Sequence, residues 1–439
     1  MSSALATRIA AEHAAASATL PAQVVSPERR RNAIDTLATE GLPTSRDENW
    51  KYANLRPLEK VRFVPPTVGS PGSQGGSATL TAAELPAAIG GYARYTFVDG
   101  VFAPALSAPV AKAGITVTSL RNLPTPLHFA PSKSKDTRFA LLNDAFATDG
   151  ASIRVSPGAD CPTCIELVFV ASVEAQTGSS YPRVELQVEQ GARLGLIERH
   201  VSVGPGANFV NTSVKVDIAR DATVNHYRVQ ESGPKAIWFD TLSAVLAQGS
   251  TYRLHGVNAG GLSSRSTINV LLAGEHADAS ISVASLGDRH QIQDAFVRIE
   301  HSAPHARSEQ TFRGISAGRA RVAFNGMVVV RQGAHGTDSR QSLRGLLAGP
   351  EAEIDVRPQL QIDTDDVRCA HGATAGKLDD DMLFYLLSRG IDPETAQRLL
   401  KWAFLEDVVA RIEVPELRRQ IERSLAGQMQ ESVALKELL

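Results

Sequence analysis

From about residue 95 to residue 370 the sequence carries no sustained helical periodicity, and that stretch constrains the fold more than any other feature. Short runs of Val, Ile, Leu, Thr and Phe alternate with polar residues and are broken by Gly, Asp and Pro, as in half-buried strands joined by tight turns. The turns recur. Gly191-Ala192, Gly206-Ala207 and Asp221-Ala222 stand 15 residues apart; Gly249-Ser250 and His276-Ala277 follow at roughly double that interval. Gly318 and Gly333 are again 15 apart. Regular turns between short strands, with no helices between them, predict a solenoid or a sandwich. Periodicity alone leaves a jelly roll open beside a β-helix.

The flanks read differently. Residues 1 to about 62 are predicted helical, with Ala-rich spacing over Ala4–Ala18 and a proline-led start at Ser26-Pro27-Glu28. Leu37 and its apolar neighbours give the second helix an inner face. Asp47–Leu58, with Trp50 and Tyr52 among charges, reads as a docking segment. Thr67–Ala78 (TVGSPGSQGGSA) has the composition of a flexible linker. After Lys377 helix signals return. Asp379 can cap a helix whose dipole Asp380 and Asp381 favour and which Gly390 can stop. Asp392-Pro393-Glu394 begins another, with Ala396, Leu399, Leu400, Ala403, Phe404 and Val408 as one apolar stripe. Val414-Pro415-Glu416 starts a third, with Leu417, Ile421 and Leu425 on one face and Arg418, Arg419, Glu422 and Arg423 on the other. The expected organisation is a helical region over 1–66, a linker and entry over 67–94, a β core over 95–377 and a helical domain over 378–439.

Several function classes are disfavoured. A formal net charge of -2 gives no sign of nucleic-acid binding. No apolar run approaches the roughly 20 residues of a membrane-spanning helix. The first 20 residues lack the basic and long apolar regions of a signal peptide. Three cysteines are too few for a disulfide framework, which predicts a reducing cytoplasm. Gly372–Lys377 (GATAGK) is one spacer short of a phosphate-binding loop, and Leu378 stands where its hydroxyl should be, so ATP binding by this chain is not expected. A β-helical or jelly-roll enzyme acting on polysaccharide is the rival class. It would group carboxylates in an aromatic-lined cleft, whereas aromatics make up 5% of the chain and no motif groups the acids.

Two cysteine patterns invite a metal reading. Cys161-Pro-Thr-Cys164 is a CxxC with no second ligand pair and a strand, not a helix, after it; packing is the plainer reading. The eleven histidines are mostly scattered among strands, as structural or surface residues would be. Asp365–Gly390 (DDVRCAHGATAGKLDDDMLFYLLSRG) is denser. If Val367–His371 is extended, Cys369 and His371 project from one face of a strand, the spacing of a ligand pair. Gly372 and Gly376 are expected to bend the backbone there, and Asp365 or Asp366 to support the imidazole. On residues alone, a buried thiol and a turn histidine is the favoured reading of the pair.

This stretch resembles the C-terminal signature of the SufB/SufD family, scaffold proteins of the bacterial Suf iron–sulfur cluster assembly system. His301–Val330 (HSAPHARSEQTFRGISAGRARVAFNGMVVV), Phe139–Ile153, Phe97–Ser107 and Leu42–Leu58 are similar to other parts of the family, in its order. The HGAT wording favours the SufD branch over SufB, whose segment usually reads Cys-Glu-His-Glu-Ala-Thr. The resemblance implies a right-handed parallel β-helix flanked by helical regions. It implies a non-enzymatic scaffold that pairs with a SufB-like paralogue and binds the ATPase SufC, so that ATP acts only through that partner. It places no cysteine site at Cys161 or Cys164. It implies a transient cluster shared with the partner, with His371 and Cys369 as candidate ligands, and no permanent cofactor. Thiolate and imidazole both suit that chemistry, but two ligands cannot close a cluster, so another chain must supply the rest. The ATPase contact would fall on Leu399, Leu400, Phe404 and Val408. A homodimeric assembly protein without a SufB contact is a further alternative.

Overall fold

The computed structural model describes residues 3–66, 80–126, 135–172, 179–204 and 206–429. The expected linker over 67–78 and the last ten residues of the C-terminal region lie outside them. From Asp160 onward, strands of about ten residues alternate between two sheets, so each sheet grows by every second strand. Neighbours in a sheet are parallel. Thr223 lies beside Thr251, Thr251 beside Asp278 and Asp278 beside Arg307, so one coil takes about thirty residues. The 15-residue turn spacing is therefore half a coil, and the architecture is a parallel β-solenoid, not a jelly roll. The early strands depart from the pattern. Val101–Phe102 pairs antiparallel with Ala93–Val98, and Ile115–Ser119 pairs antiparallel with Ala151–Val155, closing the two sheets at that end.

Alternation along each strand sends every second side chain into the coil, and in-register pairing stacks those side chains in columns. Leu196, His226, Leu254 and Ile281 form one such column; Val216, Ala244, Val270 and Ile299 form one in the facing sheet. These apolar columns make the central core. One corner is equally regular. The N–H groups of Gly191, Asp221, Gly249, His276, His305 and Gly336 each donate to a carbonyl of the next coil at 2.7–3.3 Å. All six residues have φ between 57° and 68°. That left-handed geometry is free for glycine and costs a residue with a side chain about 1 kcal/mol.

Helices cover the outer faces. They are α1 (Ser3–Ala16), α2 (Pro27–Glu40), α3 (Arg138–Phe146), α4 (Asp380–Ser388), α5 (Pro393–Val409) and α6 (Pro415–Gln428). Ser26 caps α2 by accepting from Arg29 N, with Pro27 in its first turn. Helix α3 interrupts the β region where no helix is expected from the sequence. Its Phe139, Leu142 and Phe146 join Leu37, Trp50, Phe209 and Phe239 in one cluster on the second sheet. The segment read as a docking element is docked within the chain: Trp50 is buried, stacks on Phe139 at 5.2 Å and lies under the Arg265 guanidinium at 4.3 Å. Ion pairing explains how that edge is tied down, because Arg265 also donates to Asn49 O at 2.8 Å and pairs with buried Asp294.

The C-terminal helices lie on the first sheet. Their inner face is Trp402, Leu405, Val408 and Val409 of α5 with Leu417, Ile421 and Leu425 of α6, against Tyr227, Val257, Leu286 and Ile315. Arg411 donates to Glu309 at 2.8 Å and Arg199 to Gln420 at 2.7 Å. This corrects the expected stripe. Val408 is 1% exposed and belongs to the intramolecular core, whereas Leu399, Leu400 and Phe404 keep part of their surface. The reason is rotational: Trp402, Leu405, Val408 and Val409 share the face that meets the sheet, which turns Leu399 and Leu400 to the flank.

Two measurements follow from this packing. Leu405→Ala should destabilise the chain by about 2–5 kcal/mol, as a large-to-small change in a filled core does, while Leu399→Ala should cost under about 1 kcal/mol; urea melts of both variants compare them. Burial also lowers two histidines to about 4: His301 inside the solenoid, and His255 beneath α5, where Arg411 and Arg253 add repulsion. The unfolded chain protonates them near pH 6.5. Between about pH 6.5 and pH 4 it therefore binds more protons than the folded chain, and stability falls as pH falls. The melting temperature should drop from pH 7.5 to pH 5, and the drop should be smaller in His301→Gln.

Candidate functional site

Two interior columns change character in the last coils. One runs Leu194, Val224, Tyr252, Ala279 and then Ser308, Ser339, Cys369; the other runs Leu254, Ile281 and then Gln310, Gln341, His371. Apart from the Tyr252 hydroxyl and His226, which stands between Leu196 and Leu254 in the second column, hydrocarbon gives way to hydroxyl, amide, thiol and imidazole. The polar groups are linked. His301 Nε2 and Ser308 Oγ are 2.8 Å apart, Ser308 Oγ donates to Ser339 Oγ at 2.9 Å, and Gln341 Nε2 donates to Gln310 Oε1 at 3.2 Å. Gln341 is buried, and its Oε1 has no hydrogen-bond partner among the described residues. It faces the position of His371 one strand away.

The final strand, Val367–Gly376, carries both expected ligands on the expected face. Cys369 is half-buried against the apolar group of Val328, Val330 and Leu360; His371, two residues on, is exposed. Burial first, and then the nearby Asp338 carboxylate, push the Cys369 thiol up, which favours its protonated form. Two local expectations need correction. Gly372 and Gly376 do not bend the chain: they lie within the strand, beside Ser342 and Leu346, because the ladder to the preceding coil holds them extended. Asp365 and Asp366 do not reach His371. They sit at the corner before the strand, where Asp366 O accepts from Gly336 N, and five residues of extended chain separate Asp366 from the imidazole by roughly 16 Å. The register partner of His371 on the preceding coil is Gln341.

This end of the solenoid finishes on two full-length parallel strands, whereas the other finishes on short antiparallel ones, Val101–Phe102 and Ile115–Ser119. The strands Glu353–Ile362 and Val367–Gly376 are the outermost strands of their sheets, each with a single partner among the described strands. Unpaired N–H and C=O groups line such edges. Beside them α4, capped by Asp379 accepting from Met382 N at 3.0 Å, leaves Met382, Phe384 and Tyr385 exposed at 59%, 71% and 56%.

The other sequence candidates fall elsewhere. Cys164 lies in the core near the antiparallel end, where burial raises its thiol, and Cys161 is partly buried against the same core. Deeper in, a charged cluster is sealed in the solenoid. Glu198 Oε1 accepts from Arg228 Nη2 at 2.8 Å and lies 2.5 Å from His200 Nε2; Arg228 also pairs with Asp240, and His226 bridges Glu198 and Tyr252. Burial opposes ionisation of Glu198, but Arg228 and the two imidazoles hold it well below the ordinary carboxylate value. Sequence reasoning did not assemble this group, because its members come from different coils.

The chain matches the family described as SUF system FeS cluster assembly, SufBD core domain, over residues 169–404. It is 29% identical to the iron-sulfur cluster assembly protein SufD of Escherichia coli (strain K12), covering 90% of this chain and 91% of that protein. It is 28% identical to the iron-sulfur cluster assembly SufBD family protein slr0076 of Synechocystis, covering 91% and 90%, and 26% identical to SufD of Bacillus subtilis (strain 168) over 66% of each chain. With a parallel solenoid, helical flanks and a family match over more than half its length, the chain belongs to the SufBD family of iron–sulfur cluster assembly proteins and is of the SufD type.

Proposed function

We propose that this protein is a non-catalytic scaffold subunit that pairs through its open solenoid end with a SufB-like paralogue and carries a SufC-like ATPase on its C-terminal helices. The observation that supports the reading most is the unclosed end, with His371 and Cys369 on the inner columns of its last strand. A related solenoid is a suitable occupant because its own last strands could continue both ladders. A second copy of this chain meets the same requirement, so the isolated chain could form a homodimer by the same edge. The three free thiols suit a cytoplasmic setting.

In this reading the cluster is cargo, shared across the seam, and the chain has no permanent cofactor. His371 offers one ring nitrogen to iron, and Gln341 Oε1, unpartnered on the neighbouring strand, is the candidate acceptor for its other N–H. Cys369 joins once iron or a partner cation draws off its proton. Work comes from ATP bound by the ATPase alone and reaches the solenoid through α5, whose Asp407 pairs with Arg313 of the first sheet. The docking surface on the helices is Leu399, Leu400 and Phe404; Val408 supports it from beneath.

Co-expression with SufB and SufC homologues and anaerobic isolation test the cluster site. His371→Ala should leave the complex assembled but lower its iron and sulfide per complex, and an unchanged ratio removes His371 from the site. Phe404→Glu tests the helices. It should weaken retention of the ATPase by roughly 30-fold, a hot-spot loss of about 2 kcal/mol, with the SufB partner still bound. Retention equal to wild type sinks that assignment.

A further inference from the structure

Three histidines from three successive coils meet on the exposed glycine-rich corner. The rings of His276 and His305 are 5.5 Å apart, centroid to centroid, and His335 stands edge-on to His305 at 5.2 Å. Their sequence spacing is one coil each time, so the solenoid itself brings them together. His276 and His305 occupy left-handed corner positions that Gly191, Gly249 and Gly336 fill in other coils. A side chain adopts that backbone at a cost, and strained residues of this kind invite a functional explanation. The next corner residue makes room: a Cβ on Gly336 would stand 2.2 Å from His305 Nδ1. Beside the rings is an open hollow of about 610 Å³, lined by Asp278, Asp338 and Asp366 and by Arg307 and Arg368. Carboxylates outnumber guanidiniums there.

We propose that His276 and His305, with a carboxylate of the adjoining hollow, form a surface site for one divalent transition-metal ion of the zinc type. Metal–nitrogen bonds of about 2.0–2.1 Å place two imidazoles on a tetrahedral ion with ring centroids roughly 5 Å apart. The present centroid separation of 5.5 Å is close to that value. The rings lie nearly parallel, at 18°, and among the described residues no three ligating side chains yet converge. Completing the site requires rotation about the side-chain torsions of these exposed residues. Imidazole with carboxylate suits zinc and nickel, and the absence of sulfur from the set distinguishes it from the Cys369 end of the molecule.

The test is calorimetric titration of the untagged, chelator-treated full chain with Zn²⁺ alone. We expect one ion at this site, with affinity reduced at least about tenfold by His276→Ala and by His305→Ala and lost in the double variant. His290→Ala, on a different turn, should bind as wild type. Co²⁺ in place of Zn²⁺ should give ligand-field bands without thiolate charge transfer. The proposal is overturned if the double variant binds Zn²⁺ as wild type does, if wild type takes up none, or if a thiolate band appears and disappears with Cys369→Ser.

Discussion

Each coil of this protein satisfies its backbone only through its neighbours. The parallel ladder runs in register through both sheets, and the corner N–H groups reach across to the next coil in the same way. A solenoid so built has no internal reason to stop, and each end must be closed by something. At the beginning the chain closes itself, with Val101–Phe102 and Ile115–Ser119 laid antiparallel on the first parallel strands. At the other end it leaves two edges and then departs into α4. The asymmetry is a property of the sequence. A hairpin could have capped Glu353–Ile362 as it caps the first coil.

The interior tells the same story in energies. Burying Ile281 or Leu254 is worth about 1.5–3 kcal/mol each. The glutamines and serines that succeed them gain about 1 kcal/mol per hydrogen bond, and Gln341 does not complete its set. The last coils thus forgo stability that the first ones collect. The sealed cluster of Glu198, Arg228 and Asp240 is different. Its charges are paired, and removing one partner would leave another buried and unpaired. It holds the middle of the stack in one arrangement, while the polar end remains open to a further chain.

The sequence announced the coil through its turns, because the left-handed corners at Gly191, Asp221 and Gly249 need residues that tolerate positive φ. It announced the shared face of Cys369 and His371, since alternation along a strand is local geometry. It did not announce Gln341 or His301, whose nearness to that face depends on register between strands about thirty residues apart. Helix α3 was hidden inside a β region because six of its nine residues are Phe, Leu or Ala, and so short an apolar run reads as easily as a buried strand. The face of α5 was misjudged for a related reason. Its apolar residues cover more than one side, and the choice between Leu399 and Trp402 is made by the sheet they meet.

A solenoid therefore has a second reading frame besides the strand. Residues one coil apart in sequence are neighbours in space, whatever lies between them. Ser308, Ser339 and Cys369 form one series, Gln310, Gln341 and His371 another, and His276, His305 and His335 a third. Groups that look scattered along the chain become columns, and a chemical function is spelled by what recurs at the coil length. Helices over the outer faces leave two surfaces where such columns can meet a partner or an ion. One is the open end, where the inner columns surface, and the other is the exposed corner, where no helix among the described residues covers the turns.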